Sequence, residues 1–307
     1  MLRWRLLIAV IILVPLIGIM VLDVAWNFGI PGIWMAPCGW VLTLMATAEV
    51  ISLLRSGGHW PSASTAYAGA TLVFWASCVA GAWGMLSGPT AADRVTWRLG
   101  WALVALTLAT VSSFAVEMSR FRTPGTAVPR VAMTVFVIIY AGLLMGFLAQ
   151  LRFLHNSHWG MAAIVSLVFV VKVSDTGAYA FGKLLGRHKM SPVLSPGKTV
   201  EGAVGGLVSA AAASWFFFQF ICPLIVQNNG PVAAWWGWSS YGLVVGGAGM
   251  MGDLSESLLK RDMGRKDSSR WIPGLGGVLD VLDSLLMAAP AGLFCWAVGL
   301  VGPITRA

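Results

Sequence analysis

The stretch DLSESLLKRDMGRKDSSRWIPGLGGVLDVLD, residues 253–283, holds six of the chain's twelve acidic side chains and five basic ones. It stands between two apolar runs, and its last two carboxylates, Asp280 and Asp283, fall inside the start of the second. Outside it the chain is almost uniformly hydrophobic. Of 307 residues, 58% are hydrophobic and only 10% are charged, and the mean hydropathy is +0.80. So few charges cannot clothe a soluble domain, so the composition specifies an integral membrane protein. The apolar runs are unbroken and roughly twenty residues long, the length of a spanning helix, whereas barrel strands would alternate apolar and polar positions. The expected fold is an all-α integral membrane protein.

Working outward from residues 253–283, the runs predict nine spans, at about 6–25, 32–54, 64–87, 97–117, 131–151, 160–182, 202–226, 233–252 and 275–301. The first lacks a small-x-small cleavage site and is read as a retained helix. The pattern divides the chain into N-terminal transmembrane helices, 1–158 with about five spans, and a catalytic transmembrane region, 159–307 with about four. Polar cytoplasmic loops are expected at 183–201 and 253–274. With the N-terminus in the cytoplasm, fifteen of the twenty basic residues fall in cytoplasmic segments. Four (Arg94, Arg98, Arg152 and Arg306) fall outside, and Lys172 lies within a span. That asymmetry follows the positive-inside rule, which also accounts for the net charge of +8. No basic stripe interleaved with aromatics points to nucleic acid. The four cysteines lie in apolar runs without CxxC spacing and read as small buried residues. Trp26, Trp60, Trp97, Trp159, Trp235 and Trp236 sit near span ends, which suits interfacial anchoring.

Two polar segments carry candidate chemistry, and this topology puts both on the cytoplasmic side. The first is 172–201. Lys172 and Asp175 lie at the inner end of the sixth span, where ionisable groups face a cavity or each other. Lys183, Arg187, His188, Lys189, Ser195, Lys198 and Thr199 then cluster cations and hydroxyls suited to phosphate groups. Ser195-Pro196-Gly197-Lys198-Thr199 lacks the first glycine of a P-loop and is not one. His155 and His158 lie on the opposite side, beside Trp159, and read as interfacial.

The second is 253–283 itself. Asp253 and Glu256 are three apart, as are Asp280 and Asp283, so each pair shares a helical face. Two carboxylates on one face inside a membrane need a proton, a cation or a metal. Hard oxygen ligands of this kind suit magnesium shared with a substrate phosphate. The turn Pro273-Gly274-Leu275-Gly276-Gly277 precedes the last span, where glycines allow close approach and a helix N-terminus favours an anion. Preceded by Lys260, Arg261, Arg265, Lys266 and Arg270, the arrangement describes either phosphoryl chemistry on a nucleotide or a buried salt-bridge network.

At these residues the chain resembles the CDP-diacylglycerol synthase (phosphatidate cytidylyltransferase) family. The resemblance runs through Ser257, Lys260-Arg261, Lys266-Asp267, the 273–277 turn and Asp280-x-x-Asp283. Earlier it runs through Ser174-Asp175-Thr176, Ala178-Tyr179, Gly182, Gly186-Arg187-His188-Lys189, Ser195-Pro196, Lys198-Thr199 and Glu201-Gly202. It covers about 170–290, with Leu275 where the family usually has His and Val281 where it usually has Arg. The resemblance implies a nucleotidyltransferase that converts CTP and phosphatidate into CDP-diacylglycerol and pyrophosphate in the inner membrane, with magnesium and as a homodimer. It assigns Asp253, Asp280 and Asp283 to the metal, and Lys260, Arg261 and Lys266 to the leaving pyrophosphate, with Asp267 beside them. Asp175, Lys198, Thr199, Glu201, Ser257, Gly274, Gly276 and Gly277 become substrate-binding residues. Other CTP-using lipid enzymes (a polyprenol or phytol kinase, a CDP-archaeol-type synthase) and an ion-coupled transporter are the alternatives.

The topology is testable by labelling from outside intact cells. A cysteine introduced at Asn228–Pro231 should react, and one introduced between Gly186 and Ser195 should not. The reverse pattern would invert the orientation.

Overall fold

In the computed structural model, the described residues are 2–86, 95–227, 233–269, 271 and 276–302. Among them the chain is helical apart from one β-ribbon. The helices are α1 (Leu2–Ala25), α2 (Met35–Ser56), α3 (Ala63–Leu86), α4 (Val95–Arg120), α5 (Ala127–Leu151), α6 (Ser157–Leu185), α7 (Val200–Val226), α8 (Trp235–Asp262) and α9 (Val278–Ala297). A turn of π-helix interrupts α5 at Ile138–Leu143 and α7 at Phe217–Ile221. Seven of them, α2–α7 and α9, are long and apolar enough to cross a membrane. The all-α class expected from composition holds.

Two expected loops are structured. The expected polar loop 253–274 begins only after Asp262, because α8 runs ten residues past the apolar segment. Its charged last turns hide from a hydropathy reading what the backbone continues to do. The expected loop 183–201 contains an antiparallel ribbon, β1 (Lys189–Ser191) paired with β2 (Ser195–Thr199). Strands of three and five residues that carry Pro196 and Gly197 give no periodic signal.

The chain divides into two compact units, Met1–Phe153 with Leu259–Leu282, and Leu154–Leu258 with Asp283–Ala307. In the first, Val73, Ala105, Ala109 and Ile138 form a core between α3, α4 and α5. Two small residues of this core lie on α4, so α3 and α5 can approach it closely, the usual solution where water supplies no driving force between helices. Thr43, Thr47, Ser77 and Ser113 return their hydroxyl protons to carbonyls four residues back, so these polar groups are satisfied within their own helices.

At one end of this unit Asp23 is fully buried. It accepts the N–H groups of Gly32 at 2.9 Å and Trp34 at 3.0 Å, and Nε of Arg152 at 2.6 Å. The α1–α2 connection is thereby tied to the end of α5. Burial pushes the Arg152 guanidinium down, and Asp23 beside it pulls it back up. Arg98 is also buried and donates to the carbonyl of Phe153. The other end of α2 carries Glu49, Ser52 and Arg55. A helix of 22 residues is about 33 Å long, so the two polar ends stand one hydrocarbon thickness apart.

In the second unit α6 packs against α7. Ser166 meets the Tyr241 hydroxyl of α8 at 2.9 Å, and Ser174 donates to the Gly206 carbonyl at 3.3 Å. Of the six tryptophans read as interfacial, Trp26, Trp60, Trp97, Trp235 and Trp236 are exposed near helix ends. Trp159 departs from that reading. It is buried, edge-on to Trp296 at 6.0 Å, because it lies on the inward face of α6. Cys78, Cys222 and Cys295 are buried free thiols, as their apolar surroundings lead one to expect.

Arg152→Met should lower stability by about 3–5 kcal/mol, because it leaves the Asp23 carboxylate buried without its cation. Thermal unfolding in detergent would read this. A loss below about 1 kcal/mol would contradict the burial of the pair.

Candidate active site

The second unit holds a cavity of about 400 Å³. Its walls come from the end of α6, the β-ribbon, the start of α7 and the middle of α8. Asp175, Tyr179, Lys183, Lys198, Thr199 and Asp253 are among the residues lining it. Local structure explains why they converge. Thr199 ends β2 and caps α7, its hydroxyl accepting the Gly202 N–H at 3.1 Å. Glu201, in the first turn of α7, accepts the backbone N–H of Arg187 at 3.1 Å and of His188 at 3.2 Å, and meets His188 Nδ1 at 2.5 Å. Both ends of the ribbon are thus fixed to one helix start, and Lys198 between them is held at the cavity wall.

Lys198 Nζ lies 2.8 Å from Asp253, and Lys172 lies 3.4 Å from Asp175. Asp253 is within electrostatic reach of both Asp175 and Asp283, and Lys172 of Asp283. Asp283 is buried, and its carboxylate accepts the N–H and hydroxyl of Ser284. Gly252 makes this neighbourhood possible. A Cβ there would stand 2.4 Å from the Asp283 carbonyl, so only glycine lets α8 lie this close to α9. Three carboxylates and two lysines therefore stand within electrostatic reach of one another, and three of the five, Asp175, Asp253 and Lys198, line a cavity of ligand size.

The first unit uses the remaining acidic residues differently. Asp280 pairs with Lys260 at 2.6 Å and accepts the Ser268 hydroxyl at 2.6 Å and the Gly277 N–H at 2.7 Å. Beside it lies Glu49 of α2, 1% exposed. Its carboxylate accepts the N–H groups of Val278 and Leu279, both at 2.8 Å, and the hydroxyls of Ser268 at 3.0 Å and Ser269 at 2.8 Å. The helix N-terminus read as a place for a substrate anion is thus occupied by the protein's own anion. The two glycines have the same cause. Gly276 has φ +88°, and a Cβ there would meet Asp280 at 2.5 Å; one on Gly277 would meet Glu49 at 2.3 Å. They admit carboxylates of this chain to the start of α9.

The residues named from sequence therefore fall into separate sets. Asp175, Lys198, Thr199, Asp253 and Asp283 come together in the second unit, with Lys172 added. Glu201 serves the ribbon. Lys260, Asp280, Gly276 and Gly277 belong to the Glu49 cluster of the first unit. Arg261, Lys266 and Asp267 are exposed there, and Ser257 is half-buried on α8. Gly274, with Arg270, Pro273 and Leu275, lies outside the described residues, as do Asn228–Pro231. Glu49 was missed. The signal available was an ionisable residue inside an apolar run, which is expensive unless it has a partner.

The donor chemistry bears on a metal. Among the described residues no three His, Cys, Asp or Glu side chains stand close enough to hold an ion by themselves. Asp253 and Asp283 offer hard oxygens on neighbouring helices, and magnesium commonly takes one or two carboxylates and completes its shell with water and substrate phosphates. The second unit fits an ion of that kind.

Residues 5–298 match the model of the cytidylyltransferase family. A Mycobacterium bovis protein named phosphatidate cytidylyltransferase is 32% identical over 269 residues, which cover 88% of this chain and 81% of that protein. The Mycobacterium tuberculosis protein of the same name is also 32% identical, covering 88% and 75%. A Staphylococcus saprophyticus protein of that name is 38% identical over 159 residues, covering 52% and 56%. With a family match along nearly its whole length and relatives aligned over most of theirs, the chain belongs to the cytidylyltransferase family.

Proposed function

We propose that the chain makes CDP-diacylglycerol and pyrophosphate from CTP and phosphatidate, as a step of phospholipid biosynthesis. The observation that carries this is the 32% identity, across 88% of the chain, to proteins named phosphatidate cytidylyltransferase. The reaction joins a phosphatidate oxygen to the α-phosphorus of CTP. The bond from that phosphorus to the β-phosphate oxygen breaks, and pyrophosphate leaves with its electron pair. No covalent enzyme intermediate is required, so positioning and charge neutralisation can supply most of the catalysis.

The cavity of the second unit supports the placing of that reaction. Lys198 is the residue best positioned to leave Asp253 for a phosphate oxygen, and Lys172 stands by the same carboxylates. Asp253 and Asp283 would hold magnesium, which supplies neutralisation of the triphosphate charge when bound. Asp175 and Thr199 shape the wall on which the reacting head groups lie. Asp280 supports the start of α9 through Lys260, Ser268 and Gly277.

In this reading the enzyme works in the inner membrane as a homodimer, with nine spans, the N-terminus in the cytoplasm and the active site at the cytoplasmic face. The basic-residue asymmetry supports this orientation. Two of the four arginines assigned outside, Arg98 and Arg152, are buried and hydrogen-bonded, so they are not solvent-facing charges that would oppose it. The dimer follows from the resemblance to the family.

Purified protein given labelled CTP, magnesium and phosphatidate should yield labelled CDP-diacylglycerol. No product beside an active control enzyme would sink the reading. Asp283→Asn should lower turnover by about 100-fold or more with unchanged elution on gel filtration. Full activity in that variant would remove Asp283 from the site.

A further inference from the structure

A second cavity, also about 400 Å³, lies wholly within the first unit and plays no part in the reaction described above. Ser52, Arg55 and Ser56 line it from the last turns of α2, Ala63 and Tyr67 from the start of α3, and Arg265 from the segment after α8. Two guanidiniums 210 positions apart in the chain are brought to one concavity with three hydroxyl-bearing side chains. Arg265 reaches across to the Ser52 hydroxyl at 3.5 Å, and Arg55 lies over the Trp60 ring at 5.7 Å.

Among the described residues, none of those lining it is a carboxylate. Among the described residues, no carboxylate forms an ion pair with Arg55 or Arg265. The unit's carboxylates of known partner are engaged elsewhere: Asp23 with Arg152, Glu49 with the start of α9, Glu117 with Arg130 and Asp280 with Lys260. Planar guanidiniums with hydroxyls beside them are suited to a phosphate, which takes several charge-assisted hydrogen bonds at once. A small polar molecule would find little else to hold it here.

The level of the cavity in the unit identifies the source of that phosphate. It opens where one membrane-length helix, α2, ends and the next, α3, begins. That is the depth of lipid head groups. Trp60, 62% exposed beside Arg55, is a residue type that settles at this depth. Basic pockets between spans on the cytoplasmic side are a known means of holding anionic head groups. We propose that the Arg55–Arg265 cavity binds the phosphate of an anionic membrane lipid, at a site separate from the cytidylyl-transfer centre.

The full chain in detergent, without CTP, would be titrated with phosphatidate, with phosphatidylcholine and with inorganic phosphate. Bound molecules would be counted by native mass spectrometry. The wild type should hold one more phosphatidate than the double variant Arg55→Gln/Arg265→Gln, and each single substitution should weaken that added binding about tenfold. Arg55→Lys/Arg265→Lys should recover part of it, and Arg122→Gln, an exposed arginine that lines neither cavity, should leave it unchanged. Every variant must elute as the wild type does, which separates lost binding from lost folding. Equal phosphatidate occupancy in wild type and double variant would overturn the proposal. So would an equal loss of phosphatidylcholine, which would mean a non-specific lipid surface. Binding of inorganic phosphate that the double variant abolishes, with phosphatidate binding intact, would assign the cavity to a soluble ion and overturn the lipid claim.

Discussion

The Glu49 carboxylate takes the first two free N–H groups of α9 and two serine hydroxyls from the segment before it. A helix start buried in a membrane protein has donors that water cannot reach, and each one left unmade costs one to several kcal/mol. A buried carboxylate has the converse need. Each answers the other across more than 200 residues of sequence. Asp280 joins the same cluster by accepting the Gly277 N–H and the Ser268 hydroxyl, so the start of α9 is held by two carboxylates of the first unit.

The same economy recurs elsewhere in the molecule. Asp23 and Arg152 close one end of the first unit, and Asp280 and Lys260 brace the other. In the second unit Glu201 gathers the ends of the ribbon, and Lys198 meets Asp253. Charges in this chain are few. Asp23–Arg152 and Lys260–Asp280 are paired where hydration is poor, while Lys172–Asp175 and His188–Glu201 pair nearer the surface. The Arg55–Arg265 cavity differs in that two cations and, among the described residues, no acid line it.

Much of this could be read from the sequence. Seven spans were legible because a membrane demands long uninterrupted apolar helices, and hydropathy records that demand directly. Asp253, Asp283, Asp175 and Lys198 were legible because charge in an apolar chain stands out. The continuation of α8 to Asp262 was not, since hydropathy reports solvent preference rather than backbone conformation. The ribbon was too short to show a period. Glu49 was hidden for a different reason. Its partners lie 219–230 positions away, and nothing local in its surroundings indicates them. The glycines at 276 and 277 were noticed, but the anion they admit comes from this chain.

What the whole arrangement rests on is the hold of Glu49 on the start of α9. Amide hydrogen exchange over residues 264–282, compared between the wild type and Glu49→Ala in detergent, measures that hold. Losing a charged acceptor from two backbone donors should speed exchange at Val278 and Leu279 by about tenfold or more, with the effect fading along α9. Unchanged protection at those two amides would mean that α9 starts where it does for some other reason, and the role given to Glu49 would be wrong.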